Sequence, residues 1–152
     1  MQVIFNIDDL FAEAEERSIH RADALIRQDS DTLTERSAIT ESDHLLIAAF
    51  LKDAADEVYL LLQTITFSAY PYVYEPKVKI LYNVVNEYPG NKLTVLYSSI
   101  KSFFVEKMLA GWYRAKGMTE LFIEHNHVAD QYKKQVNTLR MIDKPKLIYR
   151  HL

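Results

Sequence analysis

The sequence contains no cysteine. Disulfide staples, thiol nucleophiles and cysteine-type zinc sites are excluded together. Glycine and proline are scarce, at three and four residues. So few turn-formers imply long elements with few connections, which predicts a mostly α fold. No run of about 18 uninterrupted apolar residues occurs, the length a membrane helix requires, so no span is expected. A surplus of positive charge is missing as well: the formal net charge is -3 and the pI is near 5.9. That balance disfavours a protein that grips nucleic acid by its phosphates. The opening MQVIFNIDD is acidic where a secretion signal is basic, and none is expected there. The sequence shows no internal repeat and no low-complexity tract.

What is present is a chain of 152 residues, 49% hydrophobic and 26% charged, enough for one domain with a core and a charged surface. Its longest pattern runs over residues 91–142. Leu93, Leu96, Tyr97, Ile100, Phe103, Phe104, Met108, Trp112 and Ala115 recur at steps of three and four, the period of one helix face. Gly117 can take the left-handed conformation that ends a helix, and Thr119 is a candidate cap for the next. Leu121, Phe122, Val128, Tyr132, Val136 and Leu139 then stripe a second helix. Helix, glycine, helix over 92–142 predicts an antiparallel hairpin.

The pieces before that hairpin are expected to cover it. Residues 1–7 alternate weakly. Asp8 or Asp9 is the expected cap of a first helix reaching about residue 28, with a ragged apolar face that includes Leu10, Phe11, Ala14 and Ile19. This helix is expected on the outside of the domain. A polar connector follows, and Thr40 or Ser42 is expected to cap a second helix over 41–65. Its stripe runs Leu46, Ile47, Phe50, Leu51, Ala54, Val58, Leu61, Leu62 and Ile65. Residues 67–91 break the helical pattern. AYPYVYEP, with three tyrosines and two prolines, predicts a loop, and KVKILYNVV alternates as a strand does. A lone strand leaves its backbone groups unpaired, so it should pair either with residues 1–5 or with another chain. Asn91 is the expected cap of the third helix. Residues 143–152, DKPKLIYRHL, form an apolar and basic extended tail past Pro145. The whole reads as a small antiparallel bundle of about four helices with a short strand or hairpin insert.

Candidate chemistry is thin. His125 and His127 stand with Glu124 and Asp130, but two residues apart on a helix puts the histidines on different faces. They read as polar or partly buried helix residues; His44 reads as a surface residue and His20 needs no role. The carboxylate pairs Asp8/Asp9 and Glu15/Glu16 read as helix-start charges. No glycine-rich phosphate loop, nucleophile elbow or serine triad pattern occurs. No catalytic residue, cofactor or metal ligand is therefore expected. Tyr70, Tyr72 and Tyr74 lie in a proline-bearing loop, and either contact a partner or cover the end of the bundle.

Three stretches carry a family resemblance: ESDHLLIAAFLKDAADEVYLLL, KVKILYNVVNEYPGN, and the aromatic-rich run from Leu93 to Met141 with Trp112 and Tyr132, followed by a basic-proline tail. Over roughly residues 41–145 the pattern resembles the small α-helical head–tail connector (adaptor, head-completion) proteins of tailed bacteriophages and their prophages. The resemblance implies a non-enzymatic ring subunit that self-assembles, joins the portal protein to tail or stopper proteins, and lets DNA pass without specific binding or any membrane contact. It implies a place in the virion and, during assembly, in the bacterial cytoplasm. The contact candidates are Tyr70, Tyr72, Tyr74, Val78, Ile80, Tyr82 and Val84, with Lys146, Leu147, Ile148, Tyr149 and Arg150 in the tail. The alternative expectation is a helical bundle that binds a protein or a small ligand, with Phe103, Phe104, Trp112 and the tyrosines lining a pocket.

Overall fold

The computed structural model describes residues 1–26 and 38–141. The elements run β1 (Gln2–Asn6), α1 (Ile7–Ile26), a 3-10 turn (Glu41–Asp43), α2 (His44–Leu62), β2 (Tyr72–Glu75), β3 (Lys79–Asn83), α3 (Gly90–Ala115) and α4 (Thr119–Leu139). The protein is mostly helical, with four helices and one three-stranded antiparallel sheet ordered β1-β3-β2. No described helix is long and apolar enough to cross a membrane.

Helix α3 is the centre. From Phe103 to Tyr113 every side chain except Lys107 is buried. A helix buried on all sides must be walled on all sides, and here α1, α2, α4 and the inner face of the sheet do the walling. Burying each large side chain of this core contributes roughly 1.5–3 kcal/mol. The α3–α4 hairpin turns at Gly117, whose φ of 77° lies in the left-handed region that favours glycine. Helix α2 runs antiparallel to α3. Asp43, the residue just ahead of α2, meets Lys116 at 3.4 Å, and the far ends of α2 and α4 are joined through Arg140 Nη1 and the Leu61 carbonyl at 3.2 Å.

Local capping differs from the sequence expectation at two places, α1 and α3, whereas the expected Thr40 is the N-cap of the 3-10 turn that leads into α2. Asn6, not Asp8 or Asp9, caps α1: its Oδ1 accepts the N–H groups of Asp8 at 2.9 Å and Asp9 at 3.4 Å. Helix α1 starts directly from strand β1, so the cap falls on the last strand residue. Helix α3 opens at Gly90 after Pro89, with no side-chain cap from Asn91. Ahead of α2, the Asp43 carboxylate accepts the Thr40 N–H at 3.0 Å, while Asp43 N–H returns to the Thr40 carbonyl at 2.9 Å. Helix α1 also packs differently. Its inner face is Ile7, Leu10, Phe11, Ala14, Ser18 and Ala22, whereas Ile19 faces solvent.

The strand expected in KVKILYNVV is β3, and of its two expected partners the first is present. Residues 2–6 pair with residues 83–79. The expected tyrosine loop is itself a strand, β2, which pairs with the other side of β3. Its prolines, Pro71 and Pro76, bracket β2 without interrupting its ladder, a position that edge strands tolerate.

Candidate interaction surface

Asn83, the last residue of β3, makes four hydrogen bonds. Its N–H donates to the Pro71 carbonyl at 3.0 Å, and its carbonyl accepts the Phe67 N–H at 3.0 Å. Its side-chain Nδ2 donates to the Tyr70 carbonyl at 2.6 Å, and its Oδ1 accepts from Gln2 Nε2 at 3.2 Å. The segment from Phe67 to Pro71 is thus fixed by its backbone while its aromatic side chains are left outside: Phe67 is 45% exposed and Tyr70 77%.

Tyr72 and Tyr74 are half-buried on the inner face of β2, turned toward α2. The Tyr72 ring stacks between Tyr59 and Tyr82, at centroid distances of 5.4 and 5.2 Å, and its hydroxyl donates to Asp56 Oδ1 at 3.1 Å. Lys52 Nζ sits 5.6 Å from the Tyr72 ring and 5.1 Å from the Tyr74 ring, within cation–π range. These two tyrosines tie the sheet to α2.

Ile80, Tyr82 and Val84 are corrected as contact residues. Strand β3 is central, so its backbone is paired on both sides, and all three side chains are fully buried in the domain's own core. The Tyr82 hydroxyl donates to the Ala55 carbonyl at 2.7 Å. Val78, in the turn before β3, is exposed. The tail candidates Lys146 to Arg150 lie outside the described residues.

The outer face of the sheet carries one apolar row, Ile4, Leu81 and Val73, aligned across the three strands by register. Polar rows flank it: Gln2 with Asn83, and Lys79 with Glu75. Beside β1 is a groove of about 400 Å³ lined by Gln2, Val3, Ile4, Leu93, Thr94 and Tyr97. Tyr97 lies flat on Phe5, ring centroids 4.8 Å apart and planes 2° from parallel. The period of α3 puts Leu93 and Tyr97 on its apolar stripe, yet neither is fully buried, a difference that period alone does not encode. The weak alternation of Val3 and Phe5 was the one signal that β1 stood next to them.

A second cluster is internal. Glu106 is buried on α3 and accepts from Arg17 Nη1 at 3.0 Å through Oε1, while its Oε2 lies 2.6 Å from His125 Nδ1. Arg17 also meets Glu13 at 2.7 Å, and Lys101 meets Glu13 at 3.2 Å. The His125 ring stacks on Tyr113 at 5.2 Å. This network joins α1, α3 and α4; His127 points elsewhere, toward Gln131. Among the described residues no three His, Asp or Glu side chains gather as a metal site. His44 is not a free surface residue, because its Nε2 contacts Glu15 and its ring packs beside Phe11. Phe103, Phe104 and Trp112 are at most 1% exposed and pack in the core, which removes the lining expected of a ligand pocket.

No protein-family model, no curated protein and no solved structure matches this chain.

Proposed function

We propose that this protein is a structural subunit that works by self-assembly and docking, of the head–tail connector kind found in tailed phages and prophages. In this reading a ring of subunits joins the portal to the tail or stopper proteins. DNA crosses the channel without a specific grip, in line with the acidic net charge of -3. The protein acts in the virion and in the bacterial cytoplasm during assembly.

The observation that carries the reading is the held-out aromatic pair. Phe67 and Tyr70 are large side chains left in water on a segment that Asn83 fixes by three of its hydrogen bonds. A rigid exposed aromatic loses little conformational freedom when a partner covers it, which is the usual character of an interface anchor. Leu45, at 85% exposure, and Val78 extend the exposed apolar surface elsewhere. Helices α1 to α4 hold these features in place, and the tail candidates Lys146, Leu147, Ile148, Tyr149 and Arg150 complete the docking set.

The test is Phe67→Ser with Tyr70→Ser in the full chain. Light scattering and negative-stain microscopy would follow the protein alone and with the portal protein of the same genome. Loss of ring or portal association with unchanged helix content supports the reading. A second variant lacking residues 144–152 should behave in the same way. Undiminished association in both variants would refute the proposal.

A further inference from the structure

We propose that the open edge of β1 is a strand-acceptor site, and that its occupant is the segment 144–152 of a second copy of this chain. This rests on the self-assembly reading above and names the contact through which it operates.

The register fixes which groups are free. Val84 N–H donates to the Met1 carbonyl at 2.7 Å, Met1 N donates to the Val84 carbonyl at 2.8 Å, and Ile7 N–H donates to the Val78 carbonyl at 3.1 Å. Odd-numbered residues of β1 therefore point their backbone groups at β3. Gln2 and Ile4 point theirs the other way, and among the described residues those groups have no protein partner. They open onto the groove walled by Leu93, Thr94 and Tyr97. An exposed edge beside an apolar wall is the arrangement that accepts an added strand, with backbone bonds for affinity and the groove for alternate side chains.

The sheet's two edges are not alike. The β2 edge is bracketed by Pro71 and Pro76 and ends on the exposed, charged Glu75. Proline and charged side chains are the usual guards against unwanted pairing. Strand β1 has no charged side chain and no flanking proline, and its outward side chain at the centre is Ile4.

The occupant is chosen by charge and by direction. Asp8 and Asp9 follow β1 at its far end, both exposed and without a cationic partner among the described residues. In sequence, KPKLIYRHL places Lys144 and Lys146 ahead of Leu147, Ile148 and Tyr149. Antiparallel addition, the pattern of every pairing in this sheet, sets those lysines against Asp8 and Asp9 and the apolar residues along the groove. A subunit's own tail cannot do this. Helix α4 ends where the Tyr88 hydroxyl meets the Leu139 carbonyl at 2.8 Å, a few residues from the Val84–Met1 pairing and so at the opposite end of β1. Three residues from Met141 to Lys144 reach about 10 Å at most, whereas the five-residue strand is about 17 Å long. The contact is head-to-tail between different patches, the type that closes into rings.

The cysteine-free chain allows a direct test by disulfide trapping. Full-length Ile4→Cys and full-length Ile148→Cys are mixed, oxidised and separated without reductant. A covalent dimer containing one of each is the expected main product. Asp8→Lys with Asp9→Lys in the first chain should lower its yield, and Lys144→Glu with Lys146→Glu in the second should restore it. Closure within single chains of the double-cysteine variant, in place of the mixed dimer, would overturn the proposal. So would assembled particles in light scattering with no mixed dimer, and that result would leave the connector reading standing. Absence of both particles and cross-link would overturn the two together.

Discussion

Gly111 lies directly against the ring of Phe50. A Cβ built on Gly111 would fall 2.4 Å from the Phe50 Cγ, inside any real contact distance. The missing side chain lets the last turns of α3 close on the first half of α2, which is why a glycine is found in the most buried stretch of the protein. Gly111→Ala should therefore destabilise the fold by overpacking, by about 1–3 kcal/mol, despite the better helix propensity of alanine. Gly90→Ala, with nothing within 4 Å of its Cβ, is the control and should stay within ~0.5 kcal/mol of the parent. Urea denaturation of the two variants checks this.

Lys77 holds a φ of 63°, the one left-handed non-glycine residue described. Pro76 precedes it, and Val78 N–H closes the turn on the Glu75 carbonyl at 3.0 Å, so Lys77 occupies the turn position that favours glycine. Lys77→Gly should stabilise the hairpin by ~0.5–1 kcal/mol. Lys77→Val should destabilise it, because a β-branched side chain resists positive φ. Thermal or urea midpoints would separate the two signs.

Glu106 and its two donors should behave as one unit. Glu106→Gln keeps the shape but removes the charge that Arg17 and His125 approach, and should cost about 1–2 kcal/mol. Arg17 is partly exposed, which keeps the figure below that of a fully buried pair. A double-mutant cycle of Glu106→Gln with His125→Ala should show coupling of at least ~0.5 kcal/mol. Simple additivity would mean that the pair is a bystander.

Alkaline pH should unfold the protein earlier than its exposed tyrosines would suggest. Burial pushes the Tyr82 phenol well above its usual value of 10.0, and pushes Tyr113 to about 12 against the opposing pull of Arg21. Tyr88 is raised by burial; Tyr72 and Tyr74 are raised by burial and by Asp56. Above pH 10 the unfolded chain releases phenolic protons that the folded chain keeps, so folding stability falls as pH rises. The stabilisation is complete below pH 10 and is lost from there through about 12. Urea midpoints measured from pH 8 to 12 should decline across that window. Tyr82→Phe should soften the decline and cost ~1 kcal/mol at neutral pH through its lost bond to Ala55.

The helices were legible because their signal is local. The three-and-four spacing from Leu93 to Trp112, the break at Gly117 and the stripe from Ile47 to Leu62 each depend only on neighbours in sequence. The strand β3 showed in its alternation, but β2 did not, since Pro71 and Pro76 look like strand breakers until one sees that they stand outside the paired residues. The candidate surface was half legible. Tyr70 and Val78 are exposed as a contact would need, while Ile80, Tyr82 and Val84 are buried because β3 lies between two strands.

By itself the sequence determined the element types, the hairpin of long helices and the absence of thiol chemistry, all consequences of composition and period. Only the tertiary structure decided that residues 2–6 cover one side of β3, that Phe67 and Tyr70 are held outward by Asn83, and that β1 keeps an open edge beside Tyr97. The physical reason is that side-chain period tells which face of an element is apolar. It cannot tell which backbone edge finds a partner, because every residue but proline carries the same N–H and C=O groups.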